Sequence, residues 1–221
     1  MSTHTTIARK ALVFTASALA LAHAAPALAQ VEEIVVTSQR VKENVQDVPI
    51  AVTAVTGERL DAALVRSLEN IATLVPSVSF RKGTTSANNA IVMRGVGTIT
   101  FAIGAEPSVS TVVDGVVLSR SGQAFADLVD LERIEVLRGP QGTLFGKNAS
   151  AGLVNIVSRG GTDSFEAEVL AEAFEGDEYR LRAAISGPLA ENLSARVTGF
   201  YGSFDGNITN INGGNNRQVN G

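Results

Sequence analysis

The pattern of apolar and polar residues changes sharply beyond residue 161. From there, apolar and polar positions alternate in three long runs, at residues 165–173, 179–186 and 193–201. Glutamates occupy the polar positions of the first run, and arginines occupy several polar positions of the next two. The pattern predicts β-strands with one apolar face, each about as long as the roughly 9–11 residues of a tilted membrane strand. A soluble β-sandwich alternates in the same way, so the pattern alone leaves both classes open.

Two further features of these runs make specific predictions. Acidic residues on one polar face beside arginines on the next predict cross-strand ion pairs on the polar side of the sheet. The segment Gly187-Pro188-Leu189 predicts the tight turn between the second and third strands.

The stretch from Leu131 to Arg159 predicts two apolar strands, at residues 133–138 and 153–158, joined by a glycine-rich crossing. The glycines of the crossing permit backbone conformations that a Cβ would block. The segment from Gly142 to Lys147 has some likeness to a phosphate-binding loop. That motif needs four residues between its glycines and a Ser or Thr after the lysine, whereas this chain has three residues there and Asn148 follows. A phosphate loop is therefore excluded.

Between residues 48 and 120 the periodicity changes from helix to strand. Residues 50–55 predict a strand, and a helical surface follows that is broken near residues 66–67 and ends before Pro76. Asp114-Gly115 separates two β-prone runs, and this dipeptide strongly favours a hairpin turn. The apolar positions of the helical surface are Leu60, Leu64, Leu68, Ile71 and Leu74.

Residues 1–29 have the three parts of a secretory signal peptide. Arg9 and Lys10 end a positive region, residues 11–22 form a short apolar core, and Ala27-Leu28-Ala29 forms a small-residue cleavage site. The core is shorter than the roughly 20 residues that a membrane-spanning helix needs. We therefore expect the exported protein to begin at Gln30.

The composition argues against an enzyme. The chain of 221 residues has no Cys and two His, and both histidines, His4 and His23, lie within the predicted signal. The exported chain would then lack thiolate and imidazole groups, which excludes His-dependent triads and His- or Cys-ligated metal sites. Removal of the signal leaves 16 basic and 22 acidic residues, a charge of −6, which argues against nucleic-acid binding. We predict no catalytic residue, no metal site and no cofactor.

The segment from Gln30 to Asp47 is polar except for one β-prone island, Ile34 to Thr37. It offers little apolar surface to offset the entropy of ordering, and no hairpin partner is evident nearby. We therefore expect it to be flexible. An isolated island of this kind suits strand addition, in which a partner binds the backbone of the added strand.

The central stretch resembles the plug domain of TonB-dependent outer-membrane receptors. The family's IEVLRGPQGTLFG run is matched at residues 134–146, and its NIV strand is matched at residues 155–157. Earlier phrases, DVPIAVTAV and LENIATLVPSV, are also similar to the family. The positions that match the plug motifs are Arg94, Gly95, Asp114, Gly115, Arg138, Gly139, Pro140, Gly142 and Gly146.

The resemblance implies an α+β plug domain, with a small mixed sheet and short helices, followed by the first antiparallel strands of a transmembrane β-barrel. We expect a signal peptide at 1–29, a flexible N-terminus with the TonB box at 30–47, the plug at 48–161, and barrel strands with a loop at 162–221. The family's barrel has 22 strands, so the match is expected to cover only the N-terminal part of a receptor.

The resemblance also implies function and partners. Active uptake of a scarce solute, most often a ferric siderophore, would take place in the outer membrane and be powered by TonB of the inner-membrane complex. The TonB-binding residues would be Glu33, Ile34, Val35, Val36 and Thr37. Arg94 and Arg138 would pair with carboxylates on the barrel wall. Two alternatives are a soluble periplasmic plug-like interaction or regulatory module, and a non-functional truncated receptor.

Overall fold

The computed structural model describes residues 34–37, 41, 43–83, 88–98, 105–120, 122–123, 127–175 and 177–204. The predicted signal peptide, Glu33 and the expected loop from residue 205 lie outside these residues. Within the described ranges, no helix is both long and apolar enough to cross a membrane.

A five-stranded mixed sheet forms the centre of the first part of the chain. Its strands are β3 (Val52–Thr56), β6 (Val109–Val113), β7 (Val116–Val117), β8 (Leu131–Arg138) and β9 (Gly152–Ser158). The strand order is β3-β8-β9-β6-β7, and only the β6–β9 pair is parallel. β8 and β9 lie inside the sheet, which fits the continuous apolar character of their sequences.

The structure confirms the strands and turns predicted for this sheet. β8 and β9 pair side by side, as the central stretch indicated. Asp114 and Gly115 both have positive φ, 46° and 84°, and form the turn between β6 and β7. In the crossing, Gly139 and Gly146 have positive φ, whereas Gly142 begins the short helix α2 (Gly142–Phe145). Only two of the three crossing glycines therefore need their conformational freedom.

The predicted helical surface forms two short helices. Thr56 caps α1 (Gly57–Ala62) by accepting a hydrogen bond from the Arg59 N–H, and a 3-10 helix follows at Leu68–Thr73. The predicted break near residues 66–67 lies between them. Their apolar side chains pack on one face of the sheet, together with the hairpin of β4 (Val78–Arg81) and β5 (Ala90–Met93). The buried contacts of this core include Leu60, Leu68, Ile71, Met93, Ile134 and Val136.

The opposite face of the sheet has a smaller apolar core and a polar region. Leu137 and Leu153 lie side by side on β8 and β9 and pack with Val112 of β6 and Phe145 of α2. Two residues before Leu137 on β8, and therefore on the same face, lies the buried carboxylate of Glu135. This face thus combines an apolar cluster with a buried charge.

Three antiparallel strands follow the sheet, as the alternation predicted. They are β10 (Glu166–Phe174), β11 (Glu178–Ala190) and β12 (Leu193–Phe204), paired in chain order. Their apolar side chains lie on one face and stay open, since Phe165, Val169 and Val197 are about three-quarters exposed, at 75%, 73% and 74%. The polar face lies against the first part of the chain through ion pairs.

The predicted turn at Gly187-Pro188-Leu189 is wrong. β11 continues through these residues to Ala190, and the turn is formed by Glu191 and Asn192. A register shift between Pro188 and Ala190 explains why the proline is tolerated, because a bulge relieves the ladder where proline has no N–H to donate.

The N-terminal island also differs from its prediction. It forms β1 (Val35–Val36), which pairs with β2 (Glu43–Asn44) in antiparallel register. Val36 is fully buried. The expectation that the island has no hairpin partner is therefore wrong. The two-residue partner is polar, so hydrophobic patterning could not reveal it.

Candidate functional site

The polar face of the three strands binds the sheet domain through an ion-pair network. The pair that is buried on both sides is Asp130 with Arg196 of β12, where Nε and Nη2 of the arginine each donate at 2.6 Å. Thr198 also donates a hydrogen bond to the same carboxylate. Asp130 precedes β8 and has a positive φ of 55°, a conformation that Asp tolerates better than most residues. A two-bonded arginine–carboxylate pair has strong geometric specificity.

The surroundings of Asp130 keep its carboxylate ionised. Burial by itself opposes ionisation of this group, but the hydrogen bonds from Arg196 and Thr198 and the positive charges of Arg196 and Arg159 outweigh that cost. The pKa of Asp130 is therefore lower than its ordinary value. The contact is an ion pair at neutral pH.

A second group of charges begins at α1. Asp61 accepts hydrogen bonds from Arg66 at 2.9 Å and from Arg182 of β11 at 3.1 Å. Arg66 also donates to Glu172 of β10, with 2.8 Å between Nε and Oε2. Arg182 donates in turn to Glu168 of β10 at 2.7 Å. Opposite charges thus alternate through the contact, which leaves each charged group with at least one partner.

Arg159 joins the two groups where the chain leaves β9. Its Nη1 lies 3.1 Å from Glu168, and its Nε donates to the Leu131 carbonyl at 3.0 Å. Because Glu168 also lies 3.5 Å from Arg196, this carboxylate of β10 lies close to arginines from three segments. The predicted ion pairs between glutamates and arginines of the strands are confirmed in Glu168 and Arg182.

On the other face of the sheet, the Glu135 carboxylate anchors the N-terminal strand. It is fully buried and accepts hydrogen bonds from the Thr37 N–H at 2.8 Å, Arg133 Nε at 2.7 Å and Asn155 Nδ2 at 3.0 Å. Thr37 Oγ1 accepts a further bond from Arg133 at 2.9 Å. A carboxylate without such partners would be too costly to bury. We call these four residues the Glu135 anchor.

An open pocket of about 370 Å³ lies beside the anchor. Its lining combines Thr37, Arg133 and Asn155 with Phe145 and the Asp114-Gly115 turn. Solvent can therefore reach the edge of the anchor, although the Glu135 side chain itself is covered. Among the described residues, no group of three or more His, Cys, Asp or Glu side chains could hold a metal ion.

The structure places the two arginines selected from the sequence away from these networks. Arg138 donates to the carbonyls of Ala51 and Val52 and to Thr53 Oγ1, at 3.3, 3.4 and 2.8 Å. Arg94 is exposed and occupies a left-handed turn with Gly95. Neither arginine forms an ion pair within the part of the chain that the structure describes. The expected pairing with wall carboxylates is therefore not made with β10, β11 or β12.

The other motif residues have local structural roles. Asp114 accepts hydrogen bonds from the Ser158 N–H at 2.8 Å and its hydroxyl at 2.9 Å, which fastens the β6–β7 turn to the end of β9. Pro140 lies between Gly139 and the start of α2. Three further residues of the contact, Asp61, Arg66 and Asp130, were not predicted from the sequence. The charged positions on the facing strands indicated that opposite charges must lie nearby, but they did not indicate which residues carry them.

Comparison with known proteins identifies this arrangement. Residues 44–153 match the TonB-dependent Receptor Plug Domain family. The chain belongs to the TonB-dependent receptors. The matched residues include β3, β6, β7, β8 and the first two residues of β9, so the plug corresponds to the sheet domain described above. Arg66, Asp61 and Asp130 are plug residues, and β10 to β12 are the strands that follow the plug.

Relatives and solved receptors extend the similarity beyond the plug. The pesticin receptor of Yersinia pestis is 29% identical over 144 residues, which are 65% of this chain and 21% of the relative. The iron-regulated outer membrane virulence protein of Vibrio cholerae is 29% identical over 206 residues, covering 85% of this chain and 29% of that protein. The ferric yersiniabactin uptake receptor of Yersinia pestis has a TM-score of 0.67 at 29% identity, over 75% of this chain and 26% of that structure. The chain thus spans less than a third of each.

Proposed function

We propose that the chain forms the N-terminal part of an outer-membrane receptor that takes up a ferric siderophore with energy from TonB. The proposal rests on the contact between the plug and the three strands. Each of these strands has one polar face and one apolar face. The inner faces bind the plug through buried and partly buried ion pairs, whereas the outer faces expose large apolar side chains. That division matches a barrel wall with lipid outside and a polar interior.

The same observation weighs against the alternative of a soluble periplasmic module. In water, the open apolar faces of β10 to β12 would be an aggregation liability, because monomeric soluble proteins rarely expose large contiguous apolar patches. A receptor that carries these residues should therefore fractionate with the outer membrane. Recovery as a stable monomer in the periplasm would favour the soluble module instead.

The expected solute follows from the named relatives. One is a ferric yersiniabactin uptake receptor and another is an iron-regulated outer membrane protein. Uptake of a radiolabelled ferric siderophore by cells that carry the complete receptor tests this proposal. We expect accumulation that is lost in cells without TonB. Equal accumulation in both strains, or none with any siderophore offered, would contradict it.

We also propose that residues 1–29 are removed on export, after Ala29, so that Gln30 begins the mature receptor. The small-residue site Ala27-Leu28-Ala29 supports the position of the cut. N-terminal sequencing of the outer-membrane protein is the test, and the Ala29→Arg precursor should remain uncut.

The residues proposed to bind TonB are Glu33 to Thr37, of which the last four form and flank β1. Strand addition requires backbone N–H groups, so Val35→Pro should abolish uptake. Val35→Ala is the matched control, since it keeps the N–H and should be mild. Surface binding of the ferric siderophore should remain in both variants. Unchanged uptake by the proline variant would show that TonB binds elsewhere.

A further inference from the structure

Among the described strands, β1 pairs along one edge only, with β2. The Val45 N–H donates to the Ile34 carbonyl at 2.9 Å, and Val35 lies opposite Asn44. In an antiparallel pair, the backbone groups of successive residues point alternately toward and away from the partner strand. The groups of Ile34 and Val36 therefore face β2, while those of Val35 and Thr37 face the other edge.

The donor of Thr37 on that other edge is already occupied. The Thr37 N–H donates to Glu135 at 2.8 Å, and its hydroxyl lies 3.3 Å from the same carboxylate oxygen. Arg133 reinforces the contact because it donates both to Glu135 and to the Thr37 hydroxyl. An incoming strand that pairs with this edge would need the same N–H group.

We propose that Glu135 is an autoinhibitory latch, which occupies the Thr37 amide and must release it before a partner strand can pair along the full edge of β1. This inference rests on the proposed function, since the partner is the strand that TonB would add. Strand addition and the latch are mutually exclusive at one donor. Release also leaves Glu135 with Arg133 and Asn155, so the carboxylate keeps two partners when Thr37 departs.

The geometry explains why release is feasible without unfolding the sheet. Glu135 lies in the middle of β8, which pairs with β3 and β9, whereas β1 belongs to a separate strand pair, so the backbone pairing of the sheet does not depend on β1. The pocket beside Thr37 and Asn155 admits water to the vacated position. The anchor can therefore exchange one protein donor for water at a modest cost.

The test measures binding of the periplasmic domain of TonB to the complete purified receptor. Glu135→Gln keeps the shape and one acceptor but weakens a charge-assisted bond to a neutral one, so the affinity should rise on the order of three- to tenfold. Glu132→Gln is the matched control, because this neighbouring carboxylate also binds Arg133 but does not contact Thr37. The Glu132→Gln receptor should bind the TonB domain as tightly as the unmodified receptor.

Deuterium exchange without any partner separates the latch from the proposed function. The peptide containing residues 34–37 should exchange about tenfold faster in Glu135→Gln, while β8 and β9 exchange as before. Thr37→Val should also accelerate exchange, because it removes the hydroxyl that Arg133 and Glu135 contact, and Thr37→Ser should not. This pair keeps the test decisive if Glu135→Gln does not fold.

The outcomes are distinguishable. Unchanged exchange and unchanged affinity in Glu135→Gln would overturn the latch, even if TonB binds. Faster exchange across β8 and β9 as well would also overturn it, because the substitution would then loosen the sheet generally. If the unmodified receptor does not bind the TonB domain at all, the proposed function fails, and the exchange data still decide whether Glu135 holds β1.

Discussion

The plug is attached to the three strands by many charged groups, whereas the N-terminal strand is attached to the plug by one carboxylate and the buried side chain of Val36. At the strand contact, Asp61, Asp130 and Glu168 each meet at least two arginines within 4 Å. At the other attachment, Glu135 is the acceptor for Thr37. The strand contact therefore rests on several carboxylates, whereas a single carboxylate holds the Thr37 amide at the N-terminal attachment.

This difference fits the proposed function, in which TonB binds the N-terminal strand. A partner that pulls on residues 34–37 applies force to a two-residue strand pair and to the Glu135 anchor. The contact with β10, β11 and β12 lies on the other side of the plug sheet, around Asp61 and Asp130. We expect the strand to come free while that contact holds.

The largest expected effect comes from Asp130→Asn. Asn keeps the shape and tolerates the positive φ at this position, so the substitution removes mainly the charge. Arg196 would stay buried with Glu168, 3.5 Å away, as its remaining charged partner. We expect a loss of about 3 kcal/mol in the stability of the contact, the lower part of the range for a broken buried pair. Native-state proteolysis of the plug should be about a hundredfold faster.

The control for this prediction is Asp127→Asn, at a nearby acidic residue that pairs with Arg180 at 3.3 Å in a more exposed position. Its effect should be within about 1 kcal/mol. Equal proteolysis rates for the two variants would show that the buried pair is not what secures the plug.

A smaller effect is expected from acid. The pKa of Asp130 is lowered in the folded protein, so its contribution is complete above the ordinary value of about 4 and disappears as the pH falls through the lowered pKa. Deuterium exchange around residues 128–131, corrected for the intrinsic pH dependence, should stay constant from pH 7 to about 5 and rise below about 4. In Asp130→Asn, exchange should not rise below about pH 4 in this way. A rise in exchange that begins near neutral pH would show that a group other than Asp130 is responsible.

The smallest effect is expected from Arg138→Ala. The described partners of Arg138 are two carbonyls and one hydroxyl of the neighbouring chain segment, at residues 51–53. Their loss should cost about 1 kcal/mol, and exclusion of large antibiotics by the complete receptor should change little. A loss as large as that of Asp130→Asn would instead indicate a wall carboxylate outside the described residues, as the family resemblance implies.

The sequence predicted those features that depend on local pattern. β8, β9 and the Asp114-Gly115 turn follow from β-branched runs and turn chemistry, and the outer faces of β10 to β12 follow from alternation. Pairings between distant residues were not predictable. Arg66 and Glu172 are 106 positions apart, and neither position is unusual in its own segment.

Two local predictions were wrong for physical reasons. Gly187 and Pro188 are turn-forming residues, but a register shift next to the proline accommodates them within β11. The island at residues 34–37 was expected to lack a hairpin partner because its partner, Glu43–Asn44, is polar and only two residues long. Its stability comes from the buried Val36 and the Glu135 anchor, which are tertiary contacts.

The most direct test of the two attachments uses cysteine reporters, since the chain contains no cysteine of its own. Val36→Cys reports on the N-terminal strand, and Val65→Cys reports on the strand contact, where Val65 lines a small cavity with Asp61 and Asp130. Both positions are buried, at 0% and 2% exposure, so thiol labelling requires local opening.

Each reporter is combined with Glu135→Gln and with Asp130→Asn in a complete receptor free of other cysteines, and the labelling rates are measured. Glu135→Gln should accelerate labelling at position 36 and leave position 65 unchanged, and Asp130→Asn should do the reverse. If either substitution accelerates both reporters equally, the plug opens as one unit, and the account of two independent attachments is wrong.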